Sequence, residues 1–166
     1  MNRFYTWITQ RIAIGDYESS YNEFDVIVNI NYPYNGVEKD IIHKKTQDNK
    51  IIFLVGLHDD ANEPMEECLK YLIPKLFNDY YDKKILFHCY AGISRSTTCA
   101  LALLYHHSKS SLLNCYCFVK AKRPRIEPNL GFVRALTNFT KDDSLEKFIF
   151  RQNNFNDFLK KSYKKN

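Results

Sequence analysis

The chain has 166 residues, of which 45% are hydrophobic and 26% charged, with a formal net charge of +5. This length predicts one domain that buries roughly two thirds of its unfolded surface without a metal or a disulfide. The composition excludes a largely disordered chain, and no apolar run approaches the roughly 20 residues that span a membrane. We therefore expect a soluble, cytoplasmic protein without membrane partners. The modest charge is weak evidence for nucleic-acid binding, which we do not expect.

The five cysteines form an odd set with neither Cys-x-x-Cys spacing nor a histidine cluster of the zinc-binding type. We therefore expect no metal and no other cofactor, and a reducing compartment fits best. Cys115 and Cys117 are too close for an ordinary disulfide, so one of the two thiols is expected on a buried helix face. Apart from Cys89, the cysteines are interpreted as small buried packing residues.

Apolar segments predict the strands. Residues 8–15 are typical of a short edge strand or hairpin. The segments 25–30 and 50–55 are rich in β-branched and apolar residues, which predicts two buried strands, and 85–88 repeats the pattern. Because helical patterns alternate with these strands, we predict an α/β fold with a central, mostly parallel, twisted sheet flanked by helices.

Apolar residues at helical spacing predict the helices, at 64–80, 96–107, 112–122, from 128 onward, and more weakly at 148–163. We divide the chain into a domain at 1–140 and a basic extension at 141–166. The extension carries seven Lys or Arg and four Asp or Glu. It is predicted to form a helix that packs on the same domain.

The segment His88–Ser96 organises the rest of the chain. It follows an apolar strand and precedes a helix, with a cysteine at the strand end and an arginine six residues later. The amides of such a short loop, together with the helix N-terminus, predict a site for a phosphate or similar anion. A cysteine there is expected to ionise easily, because the thiolate feels the same amides and helix dipole. This indicates a cysteine-dependent phosphatase.

Residues 88–96 read His-Cys-Tyr-Ala-Gly-Ile-Ser-Arg-Ser and match His-Cys-x-x-Gly-x-x-Arg-Ser. This motif resembles the phosphate loop of the protein tyrosine phosphatase superfamily, in the form typical of its dual-specificity branch. The run 119–132, in which one helix ends at Arg-Pro and the next begins at Pro-Asn-x-Gly-Phe, resembles the same branch. The similarity covers roughly residues 8–140, and the compact chain without a docking domain resembles the small atypical and viral members. It implies their fold.

The resemblance implies specific roles within the loop. Cys89 would be the nucleophile and would form a phosphocysteine intermediate. Arg95 would clamp two phosphoryl oxygens, and Gly92 would permit the tight turn. The phosphoryl oxygens would be held by the backbone amides of Tyr90, Ala91, Gly92, Ile93, Ser94 and Arg95.

Three further residues would support this chemistry. Ser96 could hydrogen-bond the cysteine sulfur and make it a better leaving group. His88 would shape the loop through hydrogen bonds without transferring protons, and Asn129 would brace the loop from behind.

The leaving oxygen needs a proton, which this family takes from an aspartate about thirty residues before the cysteine. Asp59 stands 30 residues before Cys89 and Asp60 stands 29. Relatives with a paired Asp-Asp use the first, so we favour Asp59 and keep Asp60 as the alternative. Asp60 is also a natural helix N-cap.

We therefore predict a protein phosphatase that hydrolyses phosphotyrosine and phosphoserine or phosphothreonine, with phosphoproteins as substrates. The loop lacks the extra basic residues of relatives that act on inositol lipids. An RNA 5′-phosphatase is one alternative, to which the basic extension and a basic cluster of Lys120, Lys122, Arg123 and Arg125 give slight support. Such relatives, however, usually follow the arginine with Thr-Gly rather than Ser96-Thr97. A catalytically inactive phosphate-binding module is another. If the chain is viral, we expect it in the host cytoplasm or the virion.

Overall fold

A computed structural model describes residues 4–31 and 42–163. Its elements in chain order are β1 Tyr5–Trp7, β2 Ile12–Gly15, β3 Val26–Asn29, β4 Ile42–Gln47, β5 Lys50–Val55, α1 Met65–Asp79, β6 Ile85–His88, α2 Arg95–Ser108, α3 Leu112–Lys122, α4 Leu130–Thr140 and α5 Ser144–Tyr163. Every predicted segment is found, with ends that differ by a few residues. The strand β4 was not predicted.

The strands form one mixed sheet in the order β1-β2-β6-β3-β5-β4. The four inner strands are parallel neighbours, and the edge strands β1 and β4 pair antiparallel. This confirms the predicted central, mostly parallel sheet. The inner strands all point their carboxyl ends toward one edge, where open α/β sheets bind their ligands.

Different elements pack against the two faces of the sheet. Val26 and Val28 of β3 belong to the main core, to which all five helices contribute buried or partly buried side chains. Ile27, between them, belongs to a smaller cluster with Tyr5 and Phe24, whose rings meet edge to face 4.9 Å apart. The helices therefore cover one face of the sheet and aromatic side chains from the first 24 residues cover the other.

The edge strand β4 has the sequence Ile-His-Lys-Lys-Thr-Gln, which lacks the apolar run of a buried strand. It is joined to β5 by Asp48 and Asn49, whose φ angles are 50° and 61°. Two consecutive residues with positive φ are typical of a tight hairpin turn, and Asn and Asp tolerate that conformation best after glycine.

The segment after Thr140 packs on α3 and α4. Asp142 Oδ2 accepts a hydrogen bond from Leu112 N at 2.8 Å, and Ser144 Oγ accepts one from Leu113 N at 3.0 Å. Leu145 is completely buried in the main core. These contacts satisfy amides of the first turn of α3, which would otherwise lack partners.

All five cysteines are free. Cys68, Cys99 and Cys115 are buried as predicted, whereas Cys117 is exposed, so its interpretation as a packing residue was wrong. Cys115 and Cys117 are two residues apart on α3, which turns their side chains to different sides. The pKa of Cys99 is raised well above its usual value by a hydrogen bond with Cys68 and by burial. Across the described ranges, no helix combines the length and apolar character needed to cross a membrane.

Candidate active site

The candidate nucleophile lies where β6 ends at the ligand-binding edge of the sheet. Cys89 directly follows His88 and is 2% exposed. Its Sγ lies 3.3 Å from Ser96 Oγ and accepts a hydrogen bond from Gly92 N at the same distance. Two donors are therefore available to a negatively charged sulfur, one from the loop and one from the first turn of α2.

The loop presents its carbonyls to the outside. The four consecutive carbonyl groups of residues 90–93 each accept a hydrogen bond from elsewhere in the chain. In order, the donors are Tyr17 N (3.2 Å), Arg125 Nη2, Arg123 Nε (2.9 Å) and Glu127 N (2.9 Å). Because the N–H of a trans peptide points opposite to its carbonyl, the amides of residues 91–94 turn toward the inside. This is the arrangement of an anion-binding cradle.

Gly92 is the one described glycine with a positive φ, at 65°. A Cβ there would lie 2.4 Å from Arg123 Nη2 and 2.5 Å from Gly15 O. Both the backbone conformation and the close approach of β2 therefore require glycine at this position.

Arg95 is the first residue of α2 and is fixed by two strand ends. Its Nη1 donates to Ile30 O and Leu57 O, both at 3.1 Å, just beyond β3 and β5. Its buried Nε has no acceptor in the described part of the chain. An anion in the cradle could satisfy that donor, and the planar guanidinium suits a bidentate contact with phosphate.

Asp59 is attached to the loop through Ser94. Its Oδ1 accepts a hydrogen bond from Ser94 Oγ at 2.7 Å and another from Asn129 Nδ2 at 2.8 Å. A carboxyl oxygen that already accepts two bonds is a poor place for a proton, so a protonated Asp59 would carry it on Oδ2.

Asp60 has a different environment. Its Oδ1 accepts a hydrogen bond from Asn62 N at 2.8 Å, which stabilises a turn. It does not cap the following helix, because the N-cap of α1 is Pro64. The side chain of Asp59 therefore contacts the phosphate loop at Ser94, whereas the side chain of Asp60 contacts the backbone of the turn that begins at Asp60.

Asn129 connects the segment that carries Asp59 to the phosphate loop. Besides its contact with Asp59, its backbone N donates to Ser94 Oγ at 3.1 Å, and its Oδ1 caps α4 by accepting from Phe132 N at 2.9 Å. The following turn packs on Ala61, and a Cβ on Gly131 would lie 2.0 Å from the Ala61 carbonyl oxygen. Asn129 and Gly131 thus let α4 approach the segment that carries Asp59.

His88 is buried, and its Nε2 lies 2.6 Å from the hydroxyl of Tyr21. Burial lowers the pKa of His88 to about 4, so the imidazole is neutral at physiological pH. It therefore brings no positive charge to the neighbouring thiol.

Arg123 was missed as a site residue and was grouped with Lys120, Lys122 and Arg125 as a basic cluster. The structure buries it to 7% exposure, and burial lowers its pKa. Besides Gly92 O, it contacts Thr6 Oγ1 through Nη1 at 3.0 Å. The only sequence signal was its place just before Pro124, at the end of a helix. In residues 4–31 and 42–163, no group of three or more His, Cys, Asp or Glu could hold a metal ion.

Comparison with known proteins identifies the family. The family model for the dual specificity phosphatase catalytic domain matches residues 8–142. Human dual specificity protein phosphatase 16 is 30% identical over 130 residues, 65% of this chain and 20% of that protein. Mouse dual specificity protein phosphatase 14 is 50% identical over 54 residues, 32% of this chain and 27% of that protein. A protein of Invertebrate iridescent virus 6, named as a tyrosine phosphatase (123R), is 45% identical over 58 residues, 35% of this chain and 41% of that protein.

These matches span between 20% and 41% of the length of the curated relatives. Among solved structures, human DUSP28 superposes with a TM-score of 0.69 at 20% identity, covering 85% of this chain and 95% of that one. OH1 from the Orf virus gives a TM-score of 0.63 at 19% identity, covering 83% and 87%. At these identities the structures establish the common fold. Together with the family match over most of its length, they show that this chain belongs to the dual specificity phosphatase catalytic domain family.

Proposed function

We propose that this chain is a dual-specificity protein phosphatase, which hydrolyses phosphotyrosine and phosphoserine or phosphothreonine through a phosphocysteine intermediate. The observation that carries the proposal is the loop itself. Its outward carbonyls turn a row of amides toward the Cys89 thiol, and the buried Nε of Arg95 has no acceptor within residues 4–31 and 42–163. Nucleophile and anion-binding donors thus converge on one concavity.

In the first step, the Cys89 thiolate attacks phosphorus and the bond from phosphorus to the ester oxygen breaks. Asp59 transfers the proton on Oδ2 to the leaving oxygen, so that an alcohol or phenol departs rather than its anion. The loop amides and Arg95 hold the three other oxygens, where negative charge is concentrated in the transition state.

In the second step, water attacks the phosphocysteine. Asp59, now a carboxylate, accepts a proton from that water, and the bond between phosphorus and sulfur breaks to release inorganic phosphate. The departing thiolate needs a donor, and Ser96 Oγ at 3.3 Å can supply one. Cys89 and Asp59 return to their initial states.

Phosphoprotein is the substrate class that the loop best supports. Residues 90–94 include no lysine or arginine. Basic side chains at these positions would favour binding of a highly charged inositol phosphate. Three of the basic residues that gave slight support to an RNA substrate bond to backbone carbonyls instead. Lys120 Nζ binds Ile126 O at 2.7 Å, while Arg123 and Arg125 bind carbonyls of the loop.

The test is phosphate release from a panel of phosphopeptides and from a triphosphorylated RNA. We expect turnover of the phosphopeptides by the wild type and by Cys117→Ser, which changes an exposed thiol outside the loop. Cys89→Ser should reduce turnover to background. Activity that survives in Cys89→Ser would disprove the assigned nucleophile, activity on the RNA alone would favour the alternative enzyme, and inactivity on every substrate would favour a binding module.

We also propose that residues 141–166 belong to the same folded unit as 1–140. The contacts of Asp142, Ser144 and Leu145 with the rest of the chain support this. A cytoplasmic location is likewise a proposal, supported by the free thiols of all five cysteines.

A further inference from the structure

Tyr90 of the phosphate loop and Tyr17, both exposed, form a stacked pair. The rings of Tyr17 and Tyr90 are 5.1 Å apart between centroids and only 10° from parallel. Tyr17 is 56% exposed and Tyr90 is 60% exposed, although each ring covers part of the other. The main chains also meet, because Tyr17 N donates to Tyr90 O at 3.2 Å.

The strand register explains why these rings meet at the site. β2 and β6 are parallel neighbours, and Gly15 pairs with His88 at their carboxyl ends. Tyr17 lies two residues after Gly15, and Tyr90 lies two residues after His88. The two tyrosines are therefore neighbours at the carboxyl edge of the sheet. Tyr90 is also the residue after the nucleophile. The pair is therefore part of the rim around the cradle that holds Cys89.

Core packing does not account for this pair. Tyr5 and Phe24, the aromatic residues of the smaller core cluster, are 8% and 2% exposed. Tyr17 and Tyr90 instead keep more than half of their surfaces in water, which gives up most of the free energy that burial would supply. Large exposed apolar surface next to a reactive group is typical of a binding site.

The charges around the pair limit what could bind there. Asp16 and Glu18 flank Tyr17, and the Tyr17 hydroxyl donates to Glu18 Oε1 at 3.3 Å. These carboxylates, Glu18 above all, raise the pKa of Tyr17. One cation is close, since Arg125 Nη2 lies 3.9 Å from Asp16 Oδ2. A polyanion such as RNA would be repelled by this side of the rim, whereas a neutral aromatic ring would not.

We propose that Tyr17 and Tyr90 form a stacking platform for the phenyl ring of phosphotyrosine, and that this platform makes phosphotyrosine the preferred substrate. The inference rests on the proposed function. With the phosphate in the cradle, a phenyl ring extends to the height of the rim, where it can contact the tyrosines. A phosphothreonine side chain has no ring to offer. Stacking of aromatic rings corresponds to about a 3- to 10-fold gain in affinity.

The test compares kcat/KM for two peptides of identical sequence that carry phosphotyrosine or phosphothreonine. Tyr17→Leu is the informative variant, because it removes the ring that stacks on Tyr90 and keeps the backbone N that donates to Tyr90 O. We expect Tyr17→Leu to lower kcat/KM for the phosphotyrosine peptide about 3- to 10-fold and to leave the phosphothreonine value unchanged. Tyr17→Phe should behave as wild type, because it keeps the ring.

The matched control is Tyr71→Leu, which changes a tyrosine of similar exposure, 54%, on α1. This control should change neither value. An equal loss on both peptides in Tyr17→Leu, or no loss, would overturn the platform, as would a loss confined to triphosphorylated RNA. Failure of the wild type to hydrolyse either peptide would instead overturn the proposed function, so the two failures are distinguishable.

Discussion

The most direct test of the mechanism replaces Asp59 with asparagine. The substitution removes the proton that the leaving oxygen needs and keeps the acceptor that positions the side chain. Oδ1 of an asparagine can still accept from Ser94 Oγ and Asn129 Nδ2, which lie 2.7 and 2.8 Å from Oδ1 of Asp59. The loop geometry should therefore survive, and any loss of rate reports on proton transfer.

General acid catalysis contributes about 10²- to 10⁴-fold, so kcat for a phosphothreonine peptide should fall by that factor in Asp59→Asn. An alkoxide is a poor leaving group and needs the proton most. For an aryl phosphate with a good leaving group the loss should be about 10-fold or less, because that oxygen departs without full protonation. Because a general acid acts only in its protonated form, kcat/KM of the wild type should fall as the pH rises, and this fall should be absent in Asp59→Asn.

Asp60→Asn is the matched control, since it changes a neighbouring carboxylate whose Oδ1 accepts a single bond from Asn62 N. Its effect on kcat should stay within a factor of about 2, as expected for a group outside the reaction. The assay is steady-state kinetics on both substrate types between pH 5 and 8, with circular dichroism to verify folding. If Asp60→Asn shows the large loss and Asp59→Asn does not, the assignment of the acid is refuted.

Three further predictions concern stability. His88, with a folded pKa of about 4, takes up its proton less readily than in the unfolded chain, so acid favours unfolding. As the pH falls from about 6.5 to 4, the wild type should lose about 3 kcal/mol of unfolding free energy that a His88→Asn variant does not lose, as measured by urea denaturation. Arg123→Lys removes two charged hydrogen bonds and should cost about 2–4 kcal/mol and lower kcat, whereas the same change at Arg125, which is half exposed, should cost less than about 1 kcal/mol. Leu145→Ala should cost about 2–5 kcal/mol through the cavity it leaves, and Phe150→Ala on the same helix, 67% exposed in wild type, should change thermal stability little.

The sequence predicted those parts of the fold in which burial imposes a pattern. The inner strands are buried on both faces, and residues 26–28 of β3 therefore form an uninterrupted apolar run. β4 was not predicted because it is an edge strand with polar residues on both faces: its consecutive residues Lys44 and Lys45 are both exposed. The residues Asp48 and Asn49 carried the missed signal, since both favour a left-handed turn between two strands.

In the site, local spacing was enough to bring Cys89, Ser96 and Arg95 together, because a strand, a short loop and a helix fix their positions. Long-range partners could not be found in this way. Arg123 looked like one of several surface cations, and only the folded chain reveals that its Nε contacts Gly92 O. Similarly, the choice between Asp59 and Asp60 depends on which side chain faces Ser94, and a difference of one residue in spacing does not decide that.

The outward carbonyls of the phosphate loop have a consequence for the order in which the site is made. Of the four donors, Tyr17 precedes the nucleophile in the chain, but Arg123, Arg125 and Glu127 follow it. A ribosome releases Cys89 well before it releases these three residues. During synthesis the nascent chain therefore carries Cys89 without three of the contacts that orient the loop amides. All four carbonyls can be held only when the segment up to Glu127 has emerged, so the proposed phosphate cradle is among the last parts of the domain to be completed.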